Sequence, residues 1–392
     1  MEHSLDLTYH WAGFSALVVF VIAYAFVMAE EFTHLRKSKP VVLAAGLIWG
    51  MIAIAYSNTP HYEMVEHEIR HSFLEYTELA FFLLVAMTYI NALEERNVFN
   101  SLKSWLIKNQ FSYRQLFWIT GVLAFFLSPL ADNLTTALVL CAVVVAVGSS
   151  SPKFVGLACV NIVVAANAGG AFSPFGDITT LMVWQAGQLD FLQFFALVIP
   201  SVVNYIIPAS IMHFFVSDHK PDVAETSITI KYGGKTIILL GLLTIVTAVS
   251  FHNFLHLPPV FGMMTGLAYL QLYSFYIKIS VKDIEEQRYD FFENVARVEW
   301  DTLLFFFGVI LSVGGLGFIG YLEYVSEFMY TDLGATTANV LVGILSAIVD
   351  NIPVMFAVLT MEPAMPDSQL SLIHISEPTR LRRISYAVFC LK

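Results

Sequence analysis

Lysine and arginine are missing from the middle of every long apolar run in this sequence, and charged residues of both signs make up only 13% of its 392 residues. Soluble domains carry about 25% charged residues, so a soluble globular chain is excluded. Cysteine is nearly absent. Cys141 and Cys159 fall in apolar segments and Cys390 near the end, which leaves no disulfide framework and no Cys-x-x-Cys metal site. No basic patch of the kind that nucleic acid requires is present. The N-terminus lacks the positive n-region of a cleaved signal. Its first apolar run, 11–29, is long enough to span a bilayer and reads as a retained helix.

What the sequence has is hydrophobic length: 57% of it is apolar. Bilayer-spanning segments are predicted at 11–29, 40–56, 73–93, 191–216, 235–254, 259–279 and 300–322, with a last apolar segment at 337–361. Basic residues cluster in alternate connectors: Arg36, Lys37 and Lys39; then Arg96, Lys103, Lys108 and Arg114; then Lys153; then Lys220, Lys231 and Lys235; then Lys278, Lys282, Arg288 and Arg297. The connectors between them hold only Arg70 before the tail. The positive-inside rule then places the N-terminus on the periplasmic side and the basic connectors in the cytoplasm.

Two longer segments are not simple continuous spans. Segment 115–149 has basic flanks at both ends and is too long for one span and too short for two, which predicts a re-entrant hairpin with "PLADNLTT" at its tip. Segment 154–187 must cross once, yet carries "NAGGAFSPFGDITT" at its midpoint. Gly169, Gly170, Pro174 and Gly176 there predict a broken transmembrane helix. "LSPLADN" at 127–133 aligns with "LSAIVDN" at 345–351, three spans precede each copy, and five crossings separate them. An odd number inverts the second copy. The predicted fold is therefore an all-α polytopic membrane protein of the inverted-repeat secondary-transporter type, with re-entrant hairpins and broken helices. The repeats divide the chain into a first unit at 1–216, a cytoplasmic linker at 217–234 and a second, incomplete unit at 235–369. A counterpart of the broken helix is due near residue 385, where the chain reads "ISYAVFCLK". Residues 370–392 resemble translated sequencing-adapter sequence, so a C-terminally truncated chain with a non-native tail is expected.

A helix broken in hydrocarbon frees N–H and C=O groups that persist only where protein or a wet cavity encloses them. Freed carbonyls with Asn and Thr oxygens suit a hard cation, and Asp132 and Asp177 add full negative charge. Intramembrane carboxylates are functional by default. Burial disfavours their charged form, so one carboxylate holds either a proton or a cation, the minimum machinery of cation/proton exchange. The candidate ion- and proton-binding residues are Asp132, Asn133, Thr135, Asn167, Asp177, Thr179, Thr180, Ser346, Asp350 and Asn351. Thr136, Ser173, Glu75 and Glu78 are secondary. The Na⁺ or Li⁺ ligands are placed at Asp132, Asn133, Asn167 and Asp177. Against these stand plainer roles: the threonines bond helical carbonyls, the asparagines cap half-helices, and an aspartate at a helix N-terminus complements the dipole. Ser312, Gly314, Gly315 and Gly317 read as close helix packing. "HEIRH", His67 to His71, matches a zincin pattern, but a span separates it from Glu94, so no zinc is expected there. Asp132 and Asp177 as an aspartyl protease fail on spacing, because Pro174-Phe175-Gly176-Asp177 lacks the first glycine of a Gly-x-Gly-Asp turn.

"FLSPLADNLTTALVL", "ANAGGAFSPFGDITTLMVWQAG", "EEFTHLRKSKP", "LLVAMTYINALEER" and "SAIVDNIPVMFAVL" resemble the NhaD-type sodium/proton antiporters, members of the ArsB/NhaD permeases in the ion transporter superfamily. The resemblance covers residues 1 to about 369. It implies export of Na⁺ or Li⁺ against H⁺ across a bacterial inner membrane, most strongly at alkaline pH, with no cofactor and with a homodimer as in related families. By motif it carries the family's polar positions onto Asp132, Asn133 and Thr135; onto Asn167, Asp177, Thr179 and Thr180; and onto Ser346, Asp350 and Asn351. The alternative within the superfamily is an anion carrier for a dicarboxylate or an oxyanion. That reading asks for a neutral or positive site, which two aspartates and no basic residue do not supply.

Overall fold

The computed structural model describes residues 6–109, 111–148, 151–220, 228–280, 289–348 and 351–361. Among them the chain is helical, with no strand. α1 (Trp11–Met28), the single turn α2 (Glu30–Thr33), α3 (Ser38–Tyr56) and α4 (Tyr62–Glu95) come first. α5 (Val98–Lys108) leads to the pair α6 (Tyr113–Ala131) and α7 (Asn133–Val147), and α8 (Pro152–Gly170) to α9 (Ile178–Gln185). A 3-10 stretch (Phe191–Leu197) runs into α10 (Val198–His213), followed by α11 (Gly234–Leu255), α12 (Pro259–Ser280) and α13 (Phe291–Ala296). α14 (Trp300–Ile319), α15 (Tyr321–Ser326), α16 (Ala335–Ile348) and α17 (Asn351–Met361) are the last described. Nine helices among these residues are long and apolar enough to cross a membrane. The protein is a multi-pass membrane protein.

Local chemistry accounts for several boundaries. Ser112 and Gln115 form a reciprocal capping box that starts α6. Pro152 opens α8, where its missing N–H costs nothing. α4 begins eleven residues before the predicted span at 73–93. Its first turns contain the "HEIRH" stretch, tied along the helix by Arg70 to Glu66 at 2.7 Å and by His71 to Glu75 at 3.9 Å.

The helices form two compact units, divided within α4. In the unit made of residues up to 83 and from 299 onward, α14 packs on α3, α1 and α17. A β-carbon at Gly308 would meet the Val41 backbone at 2.6 Å and one at Gly315 the Ile48 side chain at 2.7 Å. Ser312 and these glycines thus sit where α3 and α14 close on one another, and Trp49 Nε1 donates to the Leu311 carbonyl at 2.8 Å across the same seam. The packing role expected for "LSVGGLGFIG" is the one observed.

In the unit of residues 84–298, α8 is the most enclosed long helix, surrounded by α6, α7 and α10. Asn161 Nδ2 donates to the Phe117 carbonyl at 2.8 Å, and Gly169 lies directly against the Phe125 carbonyl, which Pro129 leaves without its helical donor. At the far end of α4 the guanidinium of Arg96 is fully buried. It pairs with Glu95 at 2.7 Å and lies 5.0 Å from the centre of the Tyr289 ring. Burial first, and then the Glu95 charge, push the Tyr289 hydroxyl well above its usual range.

Two sequence expectations need correction here. Gly169 and Gly170 do not break the helix; they form the last turn of α8, and the interruption is 171–177. A glycine costs only about 1 kcal/mol in a helix, and this pair is used for close approach: a β-carbon on Gly170 would meet the Gly176 carbonyl at 2.5 Å and Ser128 Oγ at 3.1 Å. The interruption is also off-centre, with 19 helical residues before it in α8 and 8 after it in α9. Asp350 and the tail after 369 lie outside the described residues.

Candidate functional site

Two chain breaks meet inside the 84–298 unit. The first is a single residue. Asp132 ends α6 and caps α7 with φ 62° and ψ 144°, a conformation that side chains other than glycine's avoid. The second is the interruption 171–177, where Pro174 and Gly176 stand between α8 and α9.

The breaks satisfy one another's backbone. In an unbroken helix the Pro129 carbonyl would accept from the N–H of Asn133. That N–H instead donates to the Gly176 carbonyl at 3.0 Å, and the Pro129 carbonyl takes the Ser173 hydroxyl at 2.9 Å. The Ser173 carbonyl in turn accepts from Thr180 Oγ1 at 2.8 Å, and Ser128 Oγ donates to the Ala166 carbonyl at 2.6 Å. This exchange lets two irregular segments persist in a buried place, where each unpaired group would cost a few kcal/mol.

The side chains converge on the same spot. Asn133 Nδ2 donates to Asn167 Oδ1 at 2.9 Å and, at very short range, to Asp177 Oδ2. Asp177 Oδ1 accepts from the N–H and the hydroxyl of Thr179 at 2.9 and 2.8 Å, and Asn167 Nδ2 donates to the Val163 carbonyl at 3.0 Å. Asn133, Asn167 and Asp177 are all buried, with Asp177 7% exposed. Among the described residues no cationic side chain pairs with Asp177. Asp132 is half-buried, and its Oδ2 accepts from the N–H and hydroxyl of Thr135 at 3.2 and 3.3 Å. One residue along from each aspartate lies one end of the Asn133–Gly176 backbone bond, so that bond ties the two acidic breaks together.

The plainer roles weighed from sequence are present in part. Both aspartates cap half-helices. Thr180 is committed to the Ser173 and Asp177 carbonyls, both at 2.8 Å. Thr135 and Thr179 bond carboxylates instead. The Thr136 hydroxyl, in the first turn of α7, is buried with no hydrogen-bond partner. Ser346 and Asn351 are buried in the other unit, at the end of α16 and the start of α17, and Asn351 Oδ1 has no hydrogen-bond partner. Glu75 and Glu78 also belong to that unit, on α4, with Glu75 exposed and Glu78 half-buried. Ser128 was missed as a site residue, although its alignment with Ser346 in the repeat marked it.

The Asp132 backbone gives a direct test. Asp132→Ala keeps the unfavourable φ and loses the cap, whereas Asp132→Gly loses the cap but removes the strain. The glycine variant is expected to be the more stable by about 1–3 kcal/mol, read as a higher midpoint of thermal unfolding in detergent. Equal midpoints would show that Asp132 carries no strain.

A model of the family described as "CitMHS: Citrate transporter" matches residues 11–375. The chain is 53% identical over 383 residues to the Na⁺/H⁺ antiporter NhaD of Vibrio cholerae, covering 92% of this chain and 80% of that protein. It is 52% identical to the NhaD of Halomonas elongata, covering 92% and 77%. It is 31% identical to sodium/proton antiporter 1 of Arabidopsis thaliana, covering 88% and 59%. The chain therefore belongs to the NhaD family of Na⁺/H⁺ antiporters and, at the coarser level of the matched model, to the citrate-transporter family.

Proposed function

We propose that this protein is a secondary transporter, not an enzyme, that exports Na⁺ in exchange for H⁺, and that the two cations compete for the carboxylates at the helix breaks. The names of its relatives support sodium and protons as substrates. The observation that carries the site is Asp177, a buried carboxylate without a cationic partner among the described residues. Its charge is met only by neutral donors, the Asn133 amide and the N–H and hydroxyl of Thr179, and a sodium ion or a proton taken up on the same carboxylate would exclude the other.

The Asn133 amide fits this reading. Its NH₂ group donates at once to Asp177 Oδ2 and Asn167 Oδ1, the two oxygens that a sodium ion would need. Rotating the amide frees both and turns Asn133 Oδ1 toward the ion as a third ligand. Thr136 Oγ1 supplies a further neutral oxygen. An all-oxygen set with one full negative charge suits a hard monovalent cation. The C-terminal end of α8, with its partial negative charge, adds to it. Asp132 with Thr135 forms the second carboxylate of the pair, and Ser346, Asp350 and Asn351 its repeat-related counterpart. Li⁺ is taken as an alternative substrate. The basic connectors support a periplasmic N-terminus in the bacterial inner membrane, where sodium export serves salt tolerance and pH homeostasis. A homodimer is the expected assembly.

The citrate-transporter model raises the anion reading again. The site chemistry disfavours it: an approaching carboxylate substrate would face Asp132 and Asp177, with no lysine or arginine in either break. The test uses inverted vesicles with an acidified lumen and a pH-sensitive dye. Adding Na⁺ or Li⁺ is expected to release protons, and adding citrate or a dicarboxylate is expected to do nothing. Proton movement with the carboxylates alone would overturn the cation reading.

A further inference from the structure

A cavity with a volume of about 920 Å³ lies in the other unit, between the end of α3 and the first half of α4. This is at the upper end of the roughly 300–1,000 Å³ typical of ligand sites. Its walls are largely apolar and aromatic, chiefly Tyr56, Tyr62, Ile69 and Phe73, and its charged groups are Glu66 and Arg70. The Arg70 Nε and Nη2 atoms both donate to Glu66 Oε1, at 2.9 and 2.7 Å, and both side chains are more than two-thirds exposed.

Arg70 is out of place by the rule that orders the other basic residues: it is the single lysine or arginine in the acidic connectors before the tail. It also sits at a defined depth. The apolar run of α4 begins at Phe73, three residues further on, so Arg70 precedes it by about 5 Å along the helix axis, within reach of a lipid headgroup. Tyr56 and Tyr62 are the residue type that anchors at this level.

We propose that this groove binds a zwitterionic phospholipid whose headgroup carries a primary ammonium, an ethanolamine phospholipid. The phosphate lies on the free face of the Arg70 guanidinium, which offers two parallel N–H donors. The ammonium lies on Glu66, so the four charges alternate in sign, and an acyl chain runs down Ile69, Phe73 and Leu74. A choline headgroup has the same charges but no N–H to give Glu66. A glycerol headgroup leaves Glu66 facing an anionic lipid without a cation between them. The proposal stands apart from the transport reading, because it uses none of the residues at the helix breaks.

The experiment is lipid retention measured by native mass spectrometry on the full chain, after equilibration with equimolar ethanolamine, choline and glycerol phospholipids of identical acyl chains. The unaltered protein is expected to retain the ethanolamine lipid at least fivefold over either competitor. The double variant Glu66→Gln, Arg70→Gln is expected to retain all three alike, with an unchanged melting midpoint because both residues are exposed. Leu74→Trp, which narrows the groove below the headgroup, is expected to lower retention of all three. Equal retention of the choline lipid by the unaltered protein overturns the proposal without recourse to any variant. So does a surviving ethanolamine preference in the double variant. A disulfide formed between chains by Leu74→Cys in the membrane would overturn it by showing a second copy in the groove.

Discussion

Asp177→Asn is expected to abolish Na⁺-driven proton release from inverted vesicles while leaving membrane insertion intact. The substitution separates the two things Asp177 does. Asparagine caps helices as well as aspartate does, so the bonds from the N–H and hydroxyl of Thr179 that start α9 survive. What is lost is the full negative charge, together with the Oδ2 acceptor of the Asn133 amide. At an effective dielectric of 20, a unit charge about 4 Å from a cation contributes about 4 kcal/mol, and this corresponds to roughly a thousandfold in affinity. No neighbour replaces it, since the other groups that Asp177 touches, Asn133 and Thr179, are neutral. The neutral side chain also has no carboxylate to protonate, so both halves of the exchange fail together. A variant with the normal rate in both Na⁺ and Li⁺ would show that Asp177 only starts a helix.

The parts of this arrangement that the sequence announced are those set by hydrophobic length and by residues that a membrane helix tolerates poorly. Runs of about 20 apolar residues gave the spans, and Asp132 and Pro174–Asp177 gave the breaks. The function of each glycine was harder to read. Gly169 and Gly170 have the composition of a break, yet they pack a continuous helix against the Phe125 carbonyl and the Gly176 backbone. Only the neighbour that closes on a glycine distinguishes the two uses, and that neighbour is remote in sequence. Ser128 was passed over for a similar reason. Its hydroxyl acts on the Ala166 carbonyl 38 residues away, and nothing local marks that bond. The extension of α4 back to Tyr62 was hidden because its first turns are polar and are held by Glu66–Arg70 and His71–Glu75 pairs, which hydropathy does not register. α14 packs with α1 and α3, helices far earlier in the chain, so chain order does not fix which helices become neighbours.

The second large effect concerns pH. If a proton and a sodium ion occupy one carboxylate in turn, acid competes with sodium and does not inhibit independently of it. The apparent KM for Na⁺ is then the intrinsic constant multiplied by one plus the ratio of proton concentration to the acid constant of the site. Above the pKa of the site the apparent KM is flat. Well below it, each unit fall in pH is expected to raise KM tenfold, because every tenfold gain in protons leaves a tenth as many sites unprotonated. The maximal rate at saturating Na⁺ should move far less across the same range. An independent proton sensor elsewhere in the chain predicts the reverse: a maximal rate that falls with acid and a KM that holds steady. Measuring initial rates of dye dequenching over a grid of Na⁺ and pH therefore separates the two. The slope carries further information. A limiting slope of one in log KM against pH means that a single proton leaves as sodium enters, as expected if Asp177 alone exchanges. A slope approaching two requires a second carboxylate to discharge in the same step, and Asp132, joined to Asp177 through the Asn133–Gly176 backbone bond, is the group placed to do so. Asp132→Asn should then return the slope to one.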